Sequence, residues 1–231
     1  MHDGQMLFDK KNTWNGQEWG VDEVMGELIK DGLPAAIVVG IWNNPATRHS
    51  DFVPQKAMEK YTTFAQKKIF KNVLNADNYL SYIVNEIKPY IDESFSTNPL
   101  AEHTFIAGSS MGGLISFYGL IEYPNIFGGA ACLSTHWIVD YKRNTPYTGA
   151  IIKYFDNNIH RLKNRKLYMD RGTKSLDSLY DIAQEQIDYI IIENKISGLT
   201  WNSKVFEGAS HTENDWKKRL NIPLKFLLLR D

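Results

Sequence analysis

The chain has 231 residues, a formal net charge of −1 at pH 7 and a single cysteine, Cys132. That length suits one sizeable domain, and the nearly neutral charge favours neither nucleic acid nor an anionic membrane as a partner. One cysteine excludes an internal disulfide, and its apolar surroundings are typical of a buried structural thiol. The first residues contain no signal peptide and the apolar runs are too short to span a bilayer, so the default expectation is a cytoplasmic location.

The first part of the chain predicts helices and one buried strand. An apolar stripe over residues 17–30 predicts a helix that ends at Asp31-Gly32. The continuous apolar run at 35–41 predicts a strand buried on both faces of a parallel sheet. A long polar and aromatic connection follows at 42–70, with one short helix expected over 58–68, and residues 71–95 predict a long helix that bends near Pro89.

From residue 103 onward, predicted strands and helices alternate. We expect strands over 103–107, 128–133, 166–169 and 200–207, and helices from 114 and over 148–162, 179–195 and 215–229, the last interrupted near Pro223. A helix between successive strands requires a parallel sheet with helices on both faces. We therefore expect an α/β fold in a single domain that spans residues 1–231.

A glycine-rich turn joins the strand at 103–107 to the next helix. Residues 108–112 read GSSMG, a match to G-x-S-x-G, the pattern of the nucleophile elbow. Gly108 and Gly112 lack a Cβ, which lets strand and helix approach closely. Ser110 is thus the predicted nucleophile, and the Met111 N–H at the start of the helix is predicted to face developing negative charge.

A serine hydroxyl needs a base, and the base needs an acid that holds its tautomer. In α/β-hydrolases these partners follow in the order Ser, Asp or Glu, His, each in a loop after a later strand. Only one of the six histidines, His211, lies in the loop after the last predicted strand, so it is the predicted base. Asp170 and Asp177 both follow the strand at 166–169, and spacing alone does not separate them: an Asx turn explains the first, a helix N-cap the second.

Together these motifs resemble the esterase family of α/β-hydrolases that contains esterase D and enterochelin esterase, and also feruloyl esterases and mycolyltransferases. The resemblance covers nearly the whole chain and is most specific in GSSMGG and GASH. The matching segments are HDGQMLFD at 2–9, IVVGIWN at 37–43 followed by Arg48, GSSMGG at 108–113, STHW at 134–137, MDRGTKSLD at 169–177 and EGASH at 207–211.

The resemblance implies an α/β-hydrolase fold and an acid in the segment that follows D-x-G-T, which favours Asp177 over Asp170. It also implies that the backbone N–H of Gln5, after the Asp3-Gly4 turn, joins that of Met111 in the oxyanion hole. The sequence departs from the family pattern at its start, because the strands that normally precede HDG are missing. We therefore expect a sheet whose N-terminal strands are missing or truncated.

The predicted function is hydrolysis of a carboxylic ester through an acyl-enzyme on Ser110. The expected partners are small acyl esters or carbohydrate-linked acetyl and feruloyl esters. Trp42, His136 and Trp137 lie in loops at the C-terminal strand ends and are candidate substrate-binding residues, with simple packing as the alternative. Arg48, with Asp51 nearby, favours an ion pair that fixes the loop over a clamp for a substrate carboxylate.

Three other functions remain as alternatives. A siderophore esterase and an acyltransferase use the same fold, and a non-catalytic carbohydrate-binding domain could retain the scaffold. The complete set of Ser110, Asp177 and His211 argues against the binding domain, which has no use for a strained elbow. The sequence contains no P-loop, no G-x-G-x-x-G, no H-E-x-x-H and no cysteine cluster, so we expect neither a cofactor nor a metal.

Overall fold

A four-stranded parallel sheet forms the centre of the molecule. The computed structural model describes residues 1–70, 73–143 and 145–229. The strands, in chain order and in spatial order, are β1 (Phe105–Ser109), β2 (Gly129–Leu133), β3 (Lys166–Gly172) and β4 (Thr200–Phe206). All neighbouring pairs are parallel. The carboxyl ends of the strands therefore meet at one edge of the sheet, as the predicted alternation of strands and helices requires.

Helices precede, connect and follow these strands. The helix predicted from residue 17 begins later, after Gly20, whose φ of +60° breaks the helical backbone. The helices are α1 (Val21–Lys30), α2 (Arg48–Phe52), α3 (Gln55–Tyr61), α4 (Phe64–Lys67), α5 (Ala76–Tyr82), α6 (Lys88–Ser94), α7 (Met111–Glu122), α8 (Pro146–Asn158), α9 (Asp181–Asn194), α10 (Glu213–Arg219) and α11 (Asn221–Leu228).

Apolar side chains cover both faces of the sheet. Successive residues of a strand point to opposite faces, so β1, β2 and β3 each contribute to two cores. The larger core packs against α7, α8 and α9, and the sheet supplies Ile106, Ala130, Cys132, Leu167 and Met169 to it. The smaller core packs against α1, α10 and α11, and the sheet supplies Phe105, Ala107, Ala131, Leu133 and Tyr168. The layering is that of an α/β fold with helices on both faces, and Cys132 is fully buried as predicted.

The helix predicted over 71–95 is interrupted near Pro89. A π turn at Ile83–Ile87 lies between α5 and α6. Proline has no N–H to donate to the preceding turn, and a wide turn just before Pro89 accommodates that loss. Residues 71 and 72 of the predicted helix lie outside the described residues.

The strand predicted at 35–41 is absent, and this prediction is wrong. Residue Ile41 forms only an isolated parallel bridge with His2, and Ile37 is 50% exposed. Between this run and β1, the contacts come from the first residues of the chain: the Ile41 N–H donates to the Met1 carbonyl and the His2 N–H to the Ala107 carbonyl, each at 2.9 Å. A groove of about 730 Å³ lies beside them. A β-strand needs hydrogen-bonded neighbours along its length, and no described strand supplies them here.

The connection at 42–70 differs in detail from the prediction, whereas the C-terminal helix is interrupted as predicted. The connection at 42–70 holds the three short helices α2, α3 and α4, where one was expected. The C-terminal helix is divided at Leu220 into α10 and α11, because Pro223 fits only in the first turn of a helix. In the part of the chain that the structure describes, no helix is both long enough and apolar enough to cross a membrane.

Candidate active site

Ser110 lies in a strained turn between β1 and α7. Its backbone has a φ of +56° and a ψ of −124°, a combination that costs a non-glycine residue about 1–3 kcal/mol. A Cβ on Gly108 would lie 2.7 Å from the carbonyl carbon of Gly112, so glycine is required where strand and helix meet. This is the sharp turn that the G-x-S-x-G motif predicts.

The end of β2 holds the backbone of Ser110. The Ser110 N–H donates to the Leu133 carbonyl at 2.9 Å, and the Ser110 carbonyl accepts from the His136 N–H at 3.0 Å. Met111 is the first residue of α7, so its N–H has no acceptor within the helix. The serine and the Met111 N–H are therefore fixed relative to each other by the sheet and the helix.

The turn at residues 3–5 faces the elbow and is held by an ion pair. Asp3 has a φ of +54°, and Arg48 donates from Nε and Nη2 to its two carboxylate oxygens at 2.7 and 2.8 Å. A Cβ on Gly112 would lie 3.3 Å from Asp3 Oδ2, which places this carboxylate against the start of α7. Among the described residues, none accepts a hydrogen bond from the Gln5 N–H, which is what an oxyanion donor requires.

Arg48 does fix a loop, but the predicted partner was wrong. Asp51 does not pair with it and instead accepts bonds from the Thr47 hydroxyl at 2.6 Å and the Asn75 amide at 2.7 Å. Asp3 presents both of its oxygens to the planar guanidinium, a bidentate geometry that makes a stronger ion pair. Arg48 therefore connects α2 to the turn at residues 3–5.

Asp177 is the carboxylate that meets the loop histidine. It is fully buried in the 3₁₀ turn at Ser175–Leu179, and its Oδ1 lies 2.5 Å from His211 Nδ1. Its Oδ2 accepts from the Ser134 hydroxyl at 2.6 Å and from the Gly172 N–H at 2.5 Å. Burial alone would raise the pKa of Asp177, but the bonds from His211, Ser134 and Gly172 lower it below its usual value.

Asp170, the alternative acid, has a different partner. It lies inside β3 rather than in the loop after it, and Arg219 Nη2 donates to its Oδ1 at 2.9 Å. Burial raises the pKa of Asp170, although the Arg219 charge opposes this shift. The geometry thus brings His211 to Asp177 and commits Asp170 to a buried ion pair, a distinction that depends on contacts distant in sequence.

Tyr180 was not among the predicted site residues. Its hydroxyl lies 2.7 Å from His136 Nδ1, and its ring packs 5.6 Å from the His211 ring. Burial raises the pKa of Tyr180, which keeps the phenol protonated. The only sequence signal for a role of Tyr180 in the site is its position three residues after Asp177. An aromatic residue just before a helix usually indicates packing, so this signal is weak.

The three candidate substrate-binding residues have different environments. Trp42 is 63% exposed and sits between residues that contact the turn at 3–5. His136 is 1% exposed, and burial lowers its pKa to about 3, so it is neutral. Trp137 is fully buried, donates to Gln184 at 3.2 Å and packs against Phe117 in the core. The prediction of substrate contact is therefore wrong for Trp137, because its side chain points into the larger core.

No group of three or more His, Cys, Asp or Glu side chains in the described part of the chain is arranged to hold a metal ion.

A sequence model of the family described as "Putative esterase" matches residues 1–227. The chain belongs to this esterase family. Members of the family are serine hydrolases and esterases, in agreement with the resemblance drawn from the motifs.

This esterase-family chain is similar to individual proteins in sequence and in fold. Carboxylesterase SOBER1 of Arabidopsis thaliana is 26% identical over 129 residues, which cover 56% of this chain and 50% of that protein. The crystal structure of the BES protein from Bacillus cereus matches with a TM-score of 0.72 at 19% identity, over 99% of this chain and 81% of that one. Enterochelin esterase from Shigella flexneri matches with a TM-score of 0.68 at 17% identity, over 98% and 49%. The chain spans about half the length of the curated relatives it matches.

Proposed function

We propose that this protein is a serine carboxylic-ester hydrolase that works through an acyl-enzyme on Ser110. The observation that carries the proposal is the 2.5 Å bond between Asp177 Oδ1 and His211 Nδ1, together with the strained turn that presents Ser110. With Nδ1 committed to Asp177, the Nε2 atom of His211 is the nitrogen available to take a proton from the serine.

The reaction proceeds in two halves. His211 accepts the Ser110 proton as the serine oxygen attacks the ester carbonyl, and Asp177 stabilises the imidazolium that forms. The N–H groups of Met111 and Gln5 donate to the oxyanion, and each such donor contributes about 3 kcal/mol to the stabilisation of the transition state. His211 then gives its proton to the leaving alcohol. Water repeats the same steps on the acyl-enzyme and releases the acid.

Two exposed rings support a neutral acyl or carbohydrate-linked ester as the substrate. Trp42 borders the turn at residues 3–5, and Tyr141 lies 5.0 Å from the His136 ring, with both side chains 63% exposed. The Tyr141 backbone has a φ of +58°, a strained conformation that costs a non-glycine residue about 1–3 kcal/mol. Exposed aromatic rings at the mouth of a site offer flat apolar faces to an acyl chain, an aromatic acyl group or a sugar.

The proposal is tested with purified protein and p-nitrophenyl acetate and butyrate, in parallel with labelling by a fluorophosphonate probe. Ser110→Ala is expected to lower kcat by more than about 10³-fold and to abolish labelling, since it removes the nucleophile. Ser109→Ala is the matched control, because Ser109 is a buried neighbour in β1, and it is expected to keep both activity and labelling. Absence of ester turnover and of labelling in the unmodified protein would contradict the proposal.

A further inference from the structure

The Ser134 hydroxyl is the centre of a buried hydrogen-bond cluster behind Asp177. Its oxygen lies 2.6 Å from Asp177 Oδ2, 2.9 Å from Trp216 Nε1 and 2.9 Å from Arg219 Nη2. The residue is fully buried, and the sequence motifs assign it no role. A hydroxyl has one donor and two acceptor sites, so these three neighbours use its entire hydrogen-bonding capacity.

The chemistry of the neighbours decides where the hydroxyl proton lies. An indole N–H and a guanidinium group can only donate, so the Ser134 oxygen accepts from Trp216 and from Arg219. The Ser134 proton is then left for Asp177, whose carboxylate accepts. The cluster therefore holds Ser134 in one orientation, as a donor to the Asp177 side chain.

This bond divides the two oxygens of Asp177 between two tasks. Oδ2 accepts from Ser134 and from the Gly172 N–H, whereas Oδ1 accepts from His211. Two donors on one oxygen resist rotation of the carboxylate, so the other oxygen stays directed at the imidazole. The orientation of His211 thus depends on groups that it does not touch.

Trp216 and Arg219 connect the cluster to its surroundings. The Trp216 ring lies 4.9 Å from the His211 ring at an interplanar angle of 81°, so one side chain both bonds Ser134 and packs against the histidine. Arg219 is paired with Asp170 at 2.9 Å, which balances the buried positive charge next to Ser134. Asp170, the carboxylate that is not bonded to His211, therefore belongs to the same hydrogen-bond network.

The backbone of Ser134 is strained at this position. Its φ is +44°, and its N–H donates to the Asp170 carbonyl at 2.8 Å. Glycine adopts such a backbone without strain, so the strain arises from the Cβ that carries the hydroxyl. A side chain retained under strain, and fully bonded, indicates a function beyond filling space.

We propose that Ser134 is a positioning residue that acts on His211 through Asp177, with Trp216 and Arg219 holding its hydroxyl in the donating orientation. This inference rests on the proposed function, in which His211 is the base. Ser134 does not act on the substrate directly; it fixes the carboxylate that fixes the imidazole.

The proposal predicts a change in the pH dependence of the reaction. The O–H dipole of Ser134 partly offsets the carboxylate charge that His211 meets, so its removal strengthens the attraction of Asp177 for the protonated imidazole. Ser134→Ala is expected to move the acid limb of the kcat/KM profile to higher pH by about half a unit. The looser carboxylate is expected to lower kcat by about tenfold with little change in KM. The other titratable groups around His211 are Tyr180 and His136, and neither is altered by the substitution.

The experiment compares pH profiles of Ser134→Ala with those of Thr135→Val, using p-nitrophenyl acetate. Thr135 is also a fully buried hydroxyl in the same loop, but it bonds the Cys132 carbonyl at 3.3 Å rather than Asp177. Thr135→Val is expected to keep the acid limb of the unmodified protein. If Ser134→Ala does not fold, Ser134→Gly removes the same hydroxyl and suits the positive φ.

The titration of the His211 ring protons by NMR gives a readout that does not need turnover. A higher midpoint in the Ser134 variant, together with an unchanged midpoint in Thr135→Val, supports the proposal. If thermal stability falls while the acid limb and the NMR midpoint stay unchanged, the role of Ser134 is merely structural and the proposal is overturned. If the unmodified protein hydrolyses no ester, the proposed function fails, and the NMR midpoints still decide whether Ser134 acts on His211.

Discussion

The two sides of β1 are built very differently. On one side, every residue of β1 is in register with a residue of β2, and the turn that follows carries Ser110. On the other side, the described contacts to β1 come from the first residues of the chain, and the groove of about 730 Å³ lies next to the apolar run at 35–41, whose first three residues are exposed. Both sides have apolar sequences, but only one of them is a sheet.

The difference shows that apolar character alone does not make a strand. A strand in a parallel sheet is stable when its N–H and C=O groups are paired along its length and its side chains are covered on both faces. The residues of β2 and most of those of β3 meet both conditions, and they are buried. Residues 35–37 meet neither, and they are exposed. The proposed catalytic groups lie on the side where both conditions are met.

The largest effect is expected from Asp177→Asn, on the side of β1 where the strands are paired. An amide cannot hold the His211 tautomer in which Nε2 is free to accept a proton, so kcat is expected to fall by about 10³–10⁴-fold. The measurement is ester hydrolysis by a variant whose thermal unfolding midpoint is compared with that of the unmodified protein.

Asp170→Asn is the matched control, because Asp170 is equally buried and lies in β3, the strand that leads into the turn holding Asp177. It is expected to act on the free energy of unfolding, by about 3–5 kcal/mol, since it leaves Arg219 buried without its counter-charge. A loss of rate in folded Asp170→Asn that equals the loss in Asp177→Asn would mean that the two carboxylates have been assigned to the wrong roles.

A smaller effect, and a direct test of the comparison, is expected from truncating one apolar residue on each side. Leu167→Ala in β3 removes a fully buried side chain, and the expected loss in the free energy of unfolding is about 2–5 kcal/mol. Ile37→Ala removes a side chain that is half exposed, and the expected loss is below about 0.5 kcal/mol. Chemical denaturation of both variants measures the two values. Equal losses would show that the run at 35–41 is buried in solution.

The smallest effect is expected in the pH dependence of folding stability, through the protonation of His136. Burial lowers the pKa of this histidine to about 3 in the folded protein, whereas the unfolded chain takes up a proton near pH 6.5. The unfolded state therefore binds more protons between these values, and folding stability falls as the pH is lowered through 6.5. The contribution of His136 between pH 6.5 and 5.5 is about 1 kcal/mol. His136→Gln is expected to reduce the slope of stability against pH by that amount, and an unchanged slope would contradict the assignment.

Much of the candidate site could be predicted because its signals are local. The elbow around Ser110 is encoded by five consecutive residues. His211 follows the last strand, as the chain order of the catalytic residues in α/β-hydrolases requires. The order of strands and helices likewise predicted the parallel sheet. These features depend on short segments whose chemistry is the same in any context.

The remainder depends on contacts between distant parts of the chain. Asp170 and Asp177 are distinguished by Arg219 and His211, which lie more than thirty residues further along. The roles of Ser134 and Tyr180 arise in the same way, because each is defined by partners on other loops. Trp137 and the run at 35–41 were wrongly predicted for the same reason. Their local sequence predicts substrate contact for the first and a buried strand for the second, but the burial of each is decided by its neighbours in space.

The backbone bonds of Ser110 link the precision of the site to the stability of the whole sheet. Its N–H is bonded to Leu133 and its carbonyl to His136, so the nucleophile sits between the ends of two core strands. The amide hydrogen of Ser110 can then exchange with solvent only when the sheet itself opens, and it is expected to be among the slowest amides to exchange in deuterated buffer. Conditions that open the sheet would therefore also misalign the nucleophile, and inactivation is expected to coincide with the loss of the sheet.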